Sequence, residues 1–194
     1  MVQRVMKYNK PLEQFAVWRG GFTDEEVDQI KFLEKLQDFQ RGVIGDNVID
    51  TEARDSDVQW LFNDQNSNWV FERMSSIISQ VNTDHFMLDI DGFENFQYTK
   101  YALNQHYDWH WDYQFGWREY VRKISCVLML SDAEEYEGGE FEICRNGNLN
   151  QIDTFKPGKG DIVFFASWMP HRVLPVVSGE RRSLVCWVMG KREC

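Results

Sequence analysis

From about residue 85 onward, the sequence consists of short runs rich in Phe, Tyr, Val and Ile that are broken by Gly, Asn, Asp and Pro. Runs of this length and composition predict β-strands joined by turns. We expect strands near residues 86–90, 95–101, 105–112, 122–130, 139–144, 151–155, 161–165, 171–176 and 181–189. Short strands at this spacing favour a β-sandwich or a jelly roll.

Two amphipathic helices are predicted before these strands. In residues 22–40, Thr23 followed by Glu26 is the pattern of a capping box, and apolar residues then recur on one helical face. Residues 68–82, NWVFERMSSIISQVN, also keep the spacing of a single buried face. We expect these helices to pack on one outer face of a sheet.

The segment between the helices, residues 42–57, is polar and has no hydrophobic periodicity. It predicts a long loop, either a mobile lid over a site or a disordered insertion. No internal repeat or composition break divides the chain. We therefore expect a single domain over residues 1–194 that is mainly β with packing helices (α+β), with a helical N-terminal part at 1–84 and a jelly-roll core at 85–190.

Composition narrows the partners and the compartment. The 21 basic and 31 acidic residues give a net charge of -10, which repels nucleic acid phosphates and anionic membrane surfaces. The four cysteines include no C-x-x-C pair, and the first residues lack the apolar core of a signal peptide. No apolar run approaches the ~20 residues that span a bilayer. The sequence thus predicts a reduced, cytoplasmic protein without nucleic acid or membrane partners.

The segment NQHYDWHWDYQF, residues 104–115, contains two His-x-Asp triplets in succession. Their polar residues are His106, Asp108, His110 and Asp112. Side chains on a strand alternate between its faces, so an extended segment would place all four on one face. Tyr107, Trp109 and Trp111 would then lie on the other face. Two imidazoles and two carboxylates on one surface suggest a metal site, and alternation alone does not decide which pair binds.

A third histidine, His171, stands near the start of a later predicted strand. Two histidines and one carboxylate from neighbouring strands form a facial triad, a ligand set suited to iron(II) with open positions. Those positions accommodate a 2-oxo acid, which chelates through its keto and carboxylate oxygens, together with dioxygen. Arg181 can pair with the far carboxylate of that acid, and Ser183 on the same face of the last strand can add a hydrogen bond.

The segment YALNQHYDWHWD resembles the Y-x-x-G-x-x-Y-x-x-H-x-D signature of prolyl 4-hydroxylase-like, 2-oxoglutarate- and iron(II)-dependent dioxygenases. Tyr101, Tyr107, His110 and Asp112 are in register with it, and Asn104 stands where the signature usually has Gly. The resemblance continues in RKISCVLMLSD, YEGGEFEI, KPGKGDIVFF and HRVLPVVSGERRSLVCWVMG, and it covers about residues 97–190.

This resemblance implies that His110, Asp112 and His171 are the iron ligands. His106 and Asp108 become their neighbours, either supporting the site or contacting substrate, or forming a solvated pair at the mouth of the strand.

The cosubstrate contacts implied by the resemblance are Arg181 and Ser183. Met129 stands where some relatives have a 2-oxoglutarate-binding Tyr, which makes Tyr101 or Tyr98 the candidate phenol. Tyr113 and Trp117 lie either at the mouth of the pocket or in ordinary packing, and we expect Trp187 in the core.

The resemblance further implies a double-stranded β-helix, which is a distorted jelly roll, with the N-terminal helices on its major sheet. It implies iron(II), 2-oxoglutarate and dioxygen, with ascorbate as a further candidate cofactor. The reaction would hydroxylate an unactivated C–H bond while 2-oxoglutarate becomes succinate and carbon dioxide.

A prolyl residue of a peptide or protein is the first candidate substrate, while a free amino acid, another protein side chain or a small metabolite stay open. The acidic residues of the 42–57 segment favour a neutral or basic substrate. Two other classes stay open: a cupin-like metalloenzyme that does not use 2-oxoglutarate, and a non-catalytic jelly-roll binding module.

Overall fold

The computed structural model describes residues 14–36, 38–45, 48–114, 119–145 and 150–192. The helices in this part of the chain are α1, Asp24–Leu33, which continues as a 3-10 turn at Glu34–Leu36, and α2, Asn68–Val81, which continues as a π-helical segment at Asn82–Phe86. The strands are β1 Phe15–Trp18, β2 Gln40–Arg41, β3 Arg54–Asp55, β4 Asp57–Leu61, β5 Gly92–Phe93, β6 Phe96–Tyr101, β7 His106–His110, β8 Tyr120–Met129, β9 Tyr136–Gly138, β10 Phe141–Cys144, β11 Ile152–Phe155, β12 Ile162–Ala166, β13 His171–Val173, β14 Val176–Gly179 and β15 Arg181–Lys191.

These strands form two facing antiparallel sheets and a small third one. The major sheet has the order β1-β12-β8-β15-β6-β4-β2, and β5 pairs with β15 beside this path. The minor sheet has the order β11-β10-β13-β7-β3, and β14 pairs with β9. This arrangement confirms the predicted double-stranded β-helix with helices on the major sheet.

The major sheet separates two apolar layers. On one face, α1 and α2 pack against side chains such as Phe96, Leu128 and Phe164. On the other face, Met129 and Phe165 pack against residues of the minor sheet. Alternation along the central strands therefore decides which residues face the helices and which face the space between the sheets, where the candidate site lies.

The capping box is confirmed at the start of α1. The Thr23 side chain accepts a hydrogen bond from the Glu26 backbone N–H at 3.3 Å, and the Thr23 N–H donates to the Glu26 carboxylate at 2.8 Å. In the described ranges, neither helix has the length and apolar character needed to cross a bilayer.

The predicted helical N-terminal part, residues 1–84, contains the strands β1 to β4 besides its two helices. The segment 42–57 is also more than a loop. Its Arg54 and Asp55 pair as β3 with Tyr107 and His106 on β7, and Ile44 bridges Val48. Pairings this short leave no periodicity in the sequence, because they are made by tertiary hydrogen bonds rather than by a repeating apolar pattern.

The expected strand at residues 86–90 is absent as well. The helical conformation continues to Phe86, and Met87 then adopts a left-handed conformation with φ 51°. The Asn82 side chain closes this turn by bonding both the N–H and the C=O of Leu88, at 3.0 and 2.9 Å.

The expected strand at residues 171–176 is present in two parts, β13 and β14. The break falls at Leu174 and Pro175. Proline has no N–H to donate to a strand ladder, which accounts for the interruption.

Candidate active site

Three residues with metal-binding side chains meet between the sheets. One ligand atom from each of His110, Asp112 and His171 can be chosen so that the three lie within 4.8 Å of one another. His110 is the last residue of β7, and its Cα partner across the sheet is His171, the first residue of β13. The sequence-predicted ligands thus come from separate points of the chain and converge on one centre.

A β-bulge in β7 sets the direction of these side chains. Tyr107 pairs with Val173 and His110 pairs with His171. The two pairs are therefore three residues apart on β7 but only two residues apart on β13. An extra residue reverses the alternation along a strand. Tyr107 and His110 consequently line the same cavity, and the expectation that the four polar residues share one face, opposite Tyr107, is wrong.

Backbone carbonyls fix the tautomers of both histidines. The Nδ1 atom of His110 lies 2.7 Å from the Asp108 carbonyl oxygen, and that of His171 lies 2.9 Å from the Met169 carbonyl oxygen. A carbonyl oxygen only accepts, so each Nδ1 donates, and Nε2 is the ring nitrogen that points away from this bond and can bind a metal. Burial, aided by the neighbouring His171, lowers the pKa of His110 to about 3, which keeps this imidazole neutral near pH 7.

The Asp112 carboxylate lies close to both imidazoles, 3.8 Å from the Nε2 of His110 and 3.4 Å from that of His171. The Ser125 hydroxyl donates to it at 2.7 Å. Burial raises the pKa of Asp112. The two neighbouring imidazoles and the hydrogen bond from Ser125 outweigh this effect, so the pKa of Asp112 is lowered overall. The carboxylate is therefore held in its charged, metal-binding form.

Aromatic rings clamp the two imidazoles. The Tyr107 ring stacks on His110 with a centroid distance of 3.4 Å and an interplanar angle of 9°. His171 is packed between Phe165 and Phe141, with centroid distances of 4.5 and 5.7 Å. These ring contacts and the hydrogen bonds to the carbonyl oxygens together restrict the orientations of the two imidazoles.

The triad opens into a cavity of about 420 Å³, and Arg181 lines the same cavity. Its side chain is only 2% exposed. One terminal nitrogen donates to Ser183 Oγ at 3.3 Å, another lies 3.5 Å from the sulfur of Met129, and the Nε atom has no hydrogen-bond partner. Among the described residues, no carboxylate pairs with this guanidinium.

These residues fit an iron(II) ion and a 2-oxo dicarboxylate. Two imidazoles and one carboxylate form the facial triad expected for iron(II). A buried, unpaired guanidinium is costly unless an anion neutralises it, and a carboxylate matches its fork of donors. Arg181 with Ser183 supplies that anion site in the cavity that also contains the triad.

Of the two candidate phenols, only Tyr101 lines the cavity. The assignment of Tyr98 to the cosubstrate is wrong, because its hydroxyl donates to Glu34 at 2.8 Å on the helix side of the major sheet. The two tyrosines are three positions apart on β6, an odd number, so they lie on opposite faces.

The remaining predicted residues divide between the cavity and its surroundings. Tyr113 lines the cavity, whereas the ring nitrogens of His106 lie 3.0 and 3.3 Å from the carbonyl oxygens of Glu52 and Asn104. The Asp108 side chain is 60% exposed and lies 3.8 Å from Arg172. Neither His106 nor Asp108 lines the cavity. The prediction for Trp117 falls outside the described residues.

Several cavity residues were not found from the sequence. Trp187, which we expected in the core, lines the cavity, as do Arg54 and Arg122. Ser125, which does not line the cavity but donates to Asp112, could have been found, because it shares a face of β8 with Val127 and Met129. No pattern points to Arg54, which lies in the polar segment without periodicity.

Comparisons with known proteins agree with this geometry. Residues 96–189 match the family described as the 2OG-Fe(II) oxygenase superfamily. Similar proteins include the PKHD-type hydroxylases of Colwellia psychrerythraea, 39% identical over 66 residues, and Crocosphaera subtropica, 36% identical over 95 residues. These matches cover 34% and 47% of this chain, and they span only 28% and 41% of the two relatives.

Solved structures match over nearly the whole chain. A Pseudomonas putida prolyl-4-hydroxylase aligns with a TM-score of 0.73 at 18% identity, covering 94% of each chain. A Trichoplax adhaerens prolyl hydroxylase, solved with a peptide fragment of the hypoxia inducible factor oxygen degradation domain, aligns with a TM-score of 0.76 at 20% identity, covering 91% of this chain and 83% of that one. At these identities the likeness shows the fold. Residues 96–189 thus belong to the 2OG-Fe(II) oxygenase superfamily, and the fold that contains them is prolyl 4-hydroxylase-like.

Proposed function

We propose that this protein is an iron(II)- and 2-oxoglutarate-dependent dioxygenase that hydroxylates an unactivated C–H bond. The observation that supports it most strongly is a single cavity lined by His110, Asp112, His171 and the unpaired Arg181. Bound iron(II) with 2-oxoglutarate supplies the activation of dioxygen, and the products are hydroxylated substrate, succinate and carbon dioxide.

Each residue has a distinct role in this proposal. His110, Asp112 and His171 hold the metal through two Nε2 atoms and a carboxylate oxygen. Arg181 grips the far carboxylate of 2-oxoglutarate through charge-assisted hydrogen bonds, and Ser183 adds a donor at that end. Tyr101, which is buried and lines the cavity, provides a phenol near the bound cosubstrate.

The surrounding residues prepare this site before any ligand binds. Carbonyl hydrogen bonds and stacked rings orient the imidazoles. Apolar side chains of Val127, Phe141 and Val185 line the cavity and reduce the number of waters that compete for the metal and the guanidinium. A rigid, partly dry site loses little free energy to reorganisation when the cosubstrate binds.

A prolyl residue in a peptide or protein is the substrate we propose first. Its support is the name of one solved relative, a prolyl hydroxylase in complex with a peptide fragment. The exposed Trp111 at the edge of the cavity offers a surface for an extended chain. We also propose a cytoplasmic location, in keeping with the free thiols of Cys126, Cys144 and Cys186.

The cupin-like alternative lacks comparable support. A metalloenzyme that does not bind 2-oxoglutarate has no use for a buried cation without a carboxylate partner at the back of its cavity. Arg181 is such a cation among the described residues.

The test is succinate production from 2-oxoglutarate by the purified protein with iron(II), in air and under nitrogen. We expect succinate only when both metal and oxygen are present, with His110→Ala reduced to background. Arg41→Gln is the matched control, because Arg41 pairs with Asp55 and Asp57 outside the cavity lining. Oxygen-independent succinate, or succinate from His110→Ala at the wild-type rate, would contradict the proposal.

Some enzymes of this kind turn over only with substrate bound, so the same preparations are also titrated with 2-oxoglutarate by calorimetry in the presence of Mn(II). We expect binding that requires the metal. A protein that neither binds 2-oxoglutarate nor produces succinate is not an enzyme of this class.

A further inference from the structure

Three guanidinium groups line the cavity, and they differ in how their charge is balanced. Arg122 makes two hydrogen bonds of 2.7 Å to the Glu94 carboxylate and stacks on Trp187. Arg181 is the proposed partner of 2-oxoglutarate. Arg54 is left without an assigned partner.

Arg54 is buried and bonded only to neutral groups. Arg54 is only 7% exposed. It donates to Ser56 Oγ at 2.9 Å, to the Val43 carbonyl oxygen at 3.1 Å and to Gln97 Oε1 at 2.8 Å. A guanidinium has five N–H groups, so these three bonds leave donors over. Within the described ranges, no carboxylate forms an ion pair with it.

The chain holds this guanidinium in a fixed place. Its carbon lies 4.6 Å from the centre of the Tyr107 ring. A Cβ atom at Gly42 would come within 2.7 Å of the Arg54 Nε and 2.3 Å of the Ser56 hydroxyl, so glycine leaves the room that the side chain occupies. Ser56, which orients the Nε, is itself fully buried.

Arg54 is also close to the candidate metal. Because His110 covers one side of the Tyr107 ring at 3.4 Å, the guanidinium lies on the other side of that ring. The distance from the Arg54 guanidinium carbon to the centre of the His110 ring therefore cannot exceed the Arg54–Tyr107 and Tyr107–His110 distances taken together. A substrate group bound at Arg54 would therefore lie only a few bonds from a carbon that faces the metal.

The formal charges of the site with metal and cosubstrate bound also leave Arg54 without a counterion. The charges sum to zero over the divalent metal, the Asp112 carboxylate, the Arg181 guanidinium and the doubly negative cosubstrate. The charge of Arg54 is not included in that balance, and in a buried site a charge without a counterion is unfavourable.

We propose that Arg54 is a specificity-determining residue that binds a carboxylate carried by the substrate. This inference rests on the proposed function, and it identifies the substrate class as one that presents a carboxylate a few bonds from the reacting carbon. The carboxylate belongs either to a main-chain end, as in a small acid or a C-terminal residue, or to an Asp or Glu side chain. The inference replaces the expectation, drawn from the acidic residues of segment 42–57, of a neutral or basic substrate.

The experiment uses the protein loaded with Mn(II) and saturated with 2-oxoglutarate under nitrogen, so that Arg181 is occupied. Three probes are added in turn: N-acetylglycine with a main-chain carboxylate, N-acetylaspartate α-amide with a side-chain carboxylate, and the neutral N-acetylglycinamide. The Mn(II)-enhanced relaxation of the probe protons reports binding close to the metal. The variants are Arg54→Gln, Arg54→Lys and the control Arg41→Gln.

We expect at least one acid to bind at least ten-fold more tightly than the neutral amide in the wild type and in Arg41→Gln. Which acid is preferred distinguishes the two sources of the carboxylate. The preference should disappear in Arg54→Gln and be reduced in Arg54→Lys, which keeps the charge but loses the fork of donors. If Arg54 had only a structural role, its substitution would change the stability of the protein but not the ratio of acid to amide affinity.

The inference is overturned if the wild type binds neither acid more tightly than the amide, or if the preference survives in Arg54→Gln. Should Arg54→Gln fail to fold, Arg54→Lys decides the matter, since an unchanged acid preference there contradicts a forked carboxylate contact. The affinity for 2-oxoglutarate, measured on the same samples, separates the two proposals. Its absence in the wild type contradicts the proposed function, whereas its presence without an acid preference contradicts only the role of Arg54.

Discussion

The two faces of the major sheet are made by the same strands and have different chemistry. The helix-facing side is almost entirely apolar, with Leu128 and Leu184 packed under α1 and α2. The cavity-facing side intersperses polar groups such as Thr99, Arg181 and Ser183 among apolar ones. One face stabilises the domain and the other holds the reacting groups, so substitutions at neighbouring positions should separate stability from ligand binding.

The largest effect is expected from His171→Ala, on the cavity side. Removing one of three metal ligands should reduce succinate formation to background, because the remaining two cannot hold the metal in its facial arrangement. The melting temperature should change little by comparison, since the packing of α1 and α2 on the opposite face is untouched. Substantial metal-dependent turnover by a folded His171→Ala protein would show that His171 is not a required metal ligand.

The adjacent residues Leu128 and Met129 provide the sharpest contrast between the faces. Both are fully buried, so truncation of either to Ala should reduce the free energy of unfolding by about 2–5 kcal/mol. Only Met129→Ala should also change the affinity for 2-oxoglutarate, because the Met129 sulfur contacts Arg181. Denaturant unfolding and calorimetry on both variants measure the two quantities, and an equal change in affinity would contradict the assignment of faces.

Ser125→Ala is expected to weaken metal binding by about 10–100-fold, the usual effect of removing a group that orients a ligand. The hydroxyl donates to Asp112, and its loss leaves that carboxylate less well oriented. Ser131→Ala is a matched control, because Ser131 is equally buried but donates to the Glu180 carbonyl oxygen and not to a metal ligand. Mn(II) titration measures the metal affinity of both variants. Equal Mn(II) affinities would show that Ser125 does not support metal binding.

The smallest effect is expected from Tyr98→Phe on the helix side. It removes one hydrogen bond to Glu34, worth about 1 kcal/mol of the free energy of unfolding. The affinity for 2-oxoglutarate should stay at the wild-type value, whereas Tyr101→Phe should change it. A loss of cosubstrate affinity in Tyr98→Phe would restore the sequence-based assignment that the fold contradicts.

Much of the site could be predicted because its residues lie in motifs whose spacing reflects strand geometry. The positions of His110 and Asp112 followed from a signature, and the even offset between Arg181 and Ser183 placed both on one face of a strand. That rule fails where a bulge inserts a residue, as between Tyr107 and His110. The bulge depends on pairing with β13, which no local pattern records.

Arg54 was missed for a different reason. Its strand has two residues, and its side chain is held by Gln97 and by the room that Gly42 leaves, both distant in sequence. Local sequence carries no signal for such tertiary contacts. The helix-facing core, by contrast, was predictable from α2, because a sustained apolar period needs only local information.

The metal triad and Arg181 are proposed to form one binding site for 2-oxoglutarate. Calorimetric titration of 2-oxoglutarate into the wild type and Arg181→Gln, each with and without Mn(II), tests it most directly. We predict binding only with Mn(II), and an affinity about 30-fold or more weaker in Arg181→Gln, the effect of removing one partner from a buried charged pair. Equal affinities in the two proteins, or binding that does not depend on the metal, would contradict the claim.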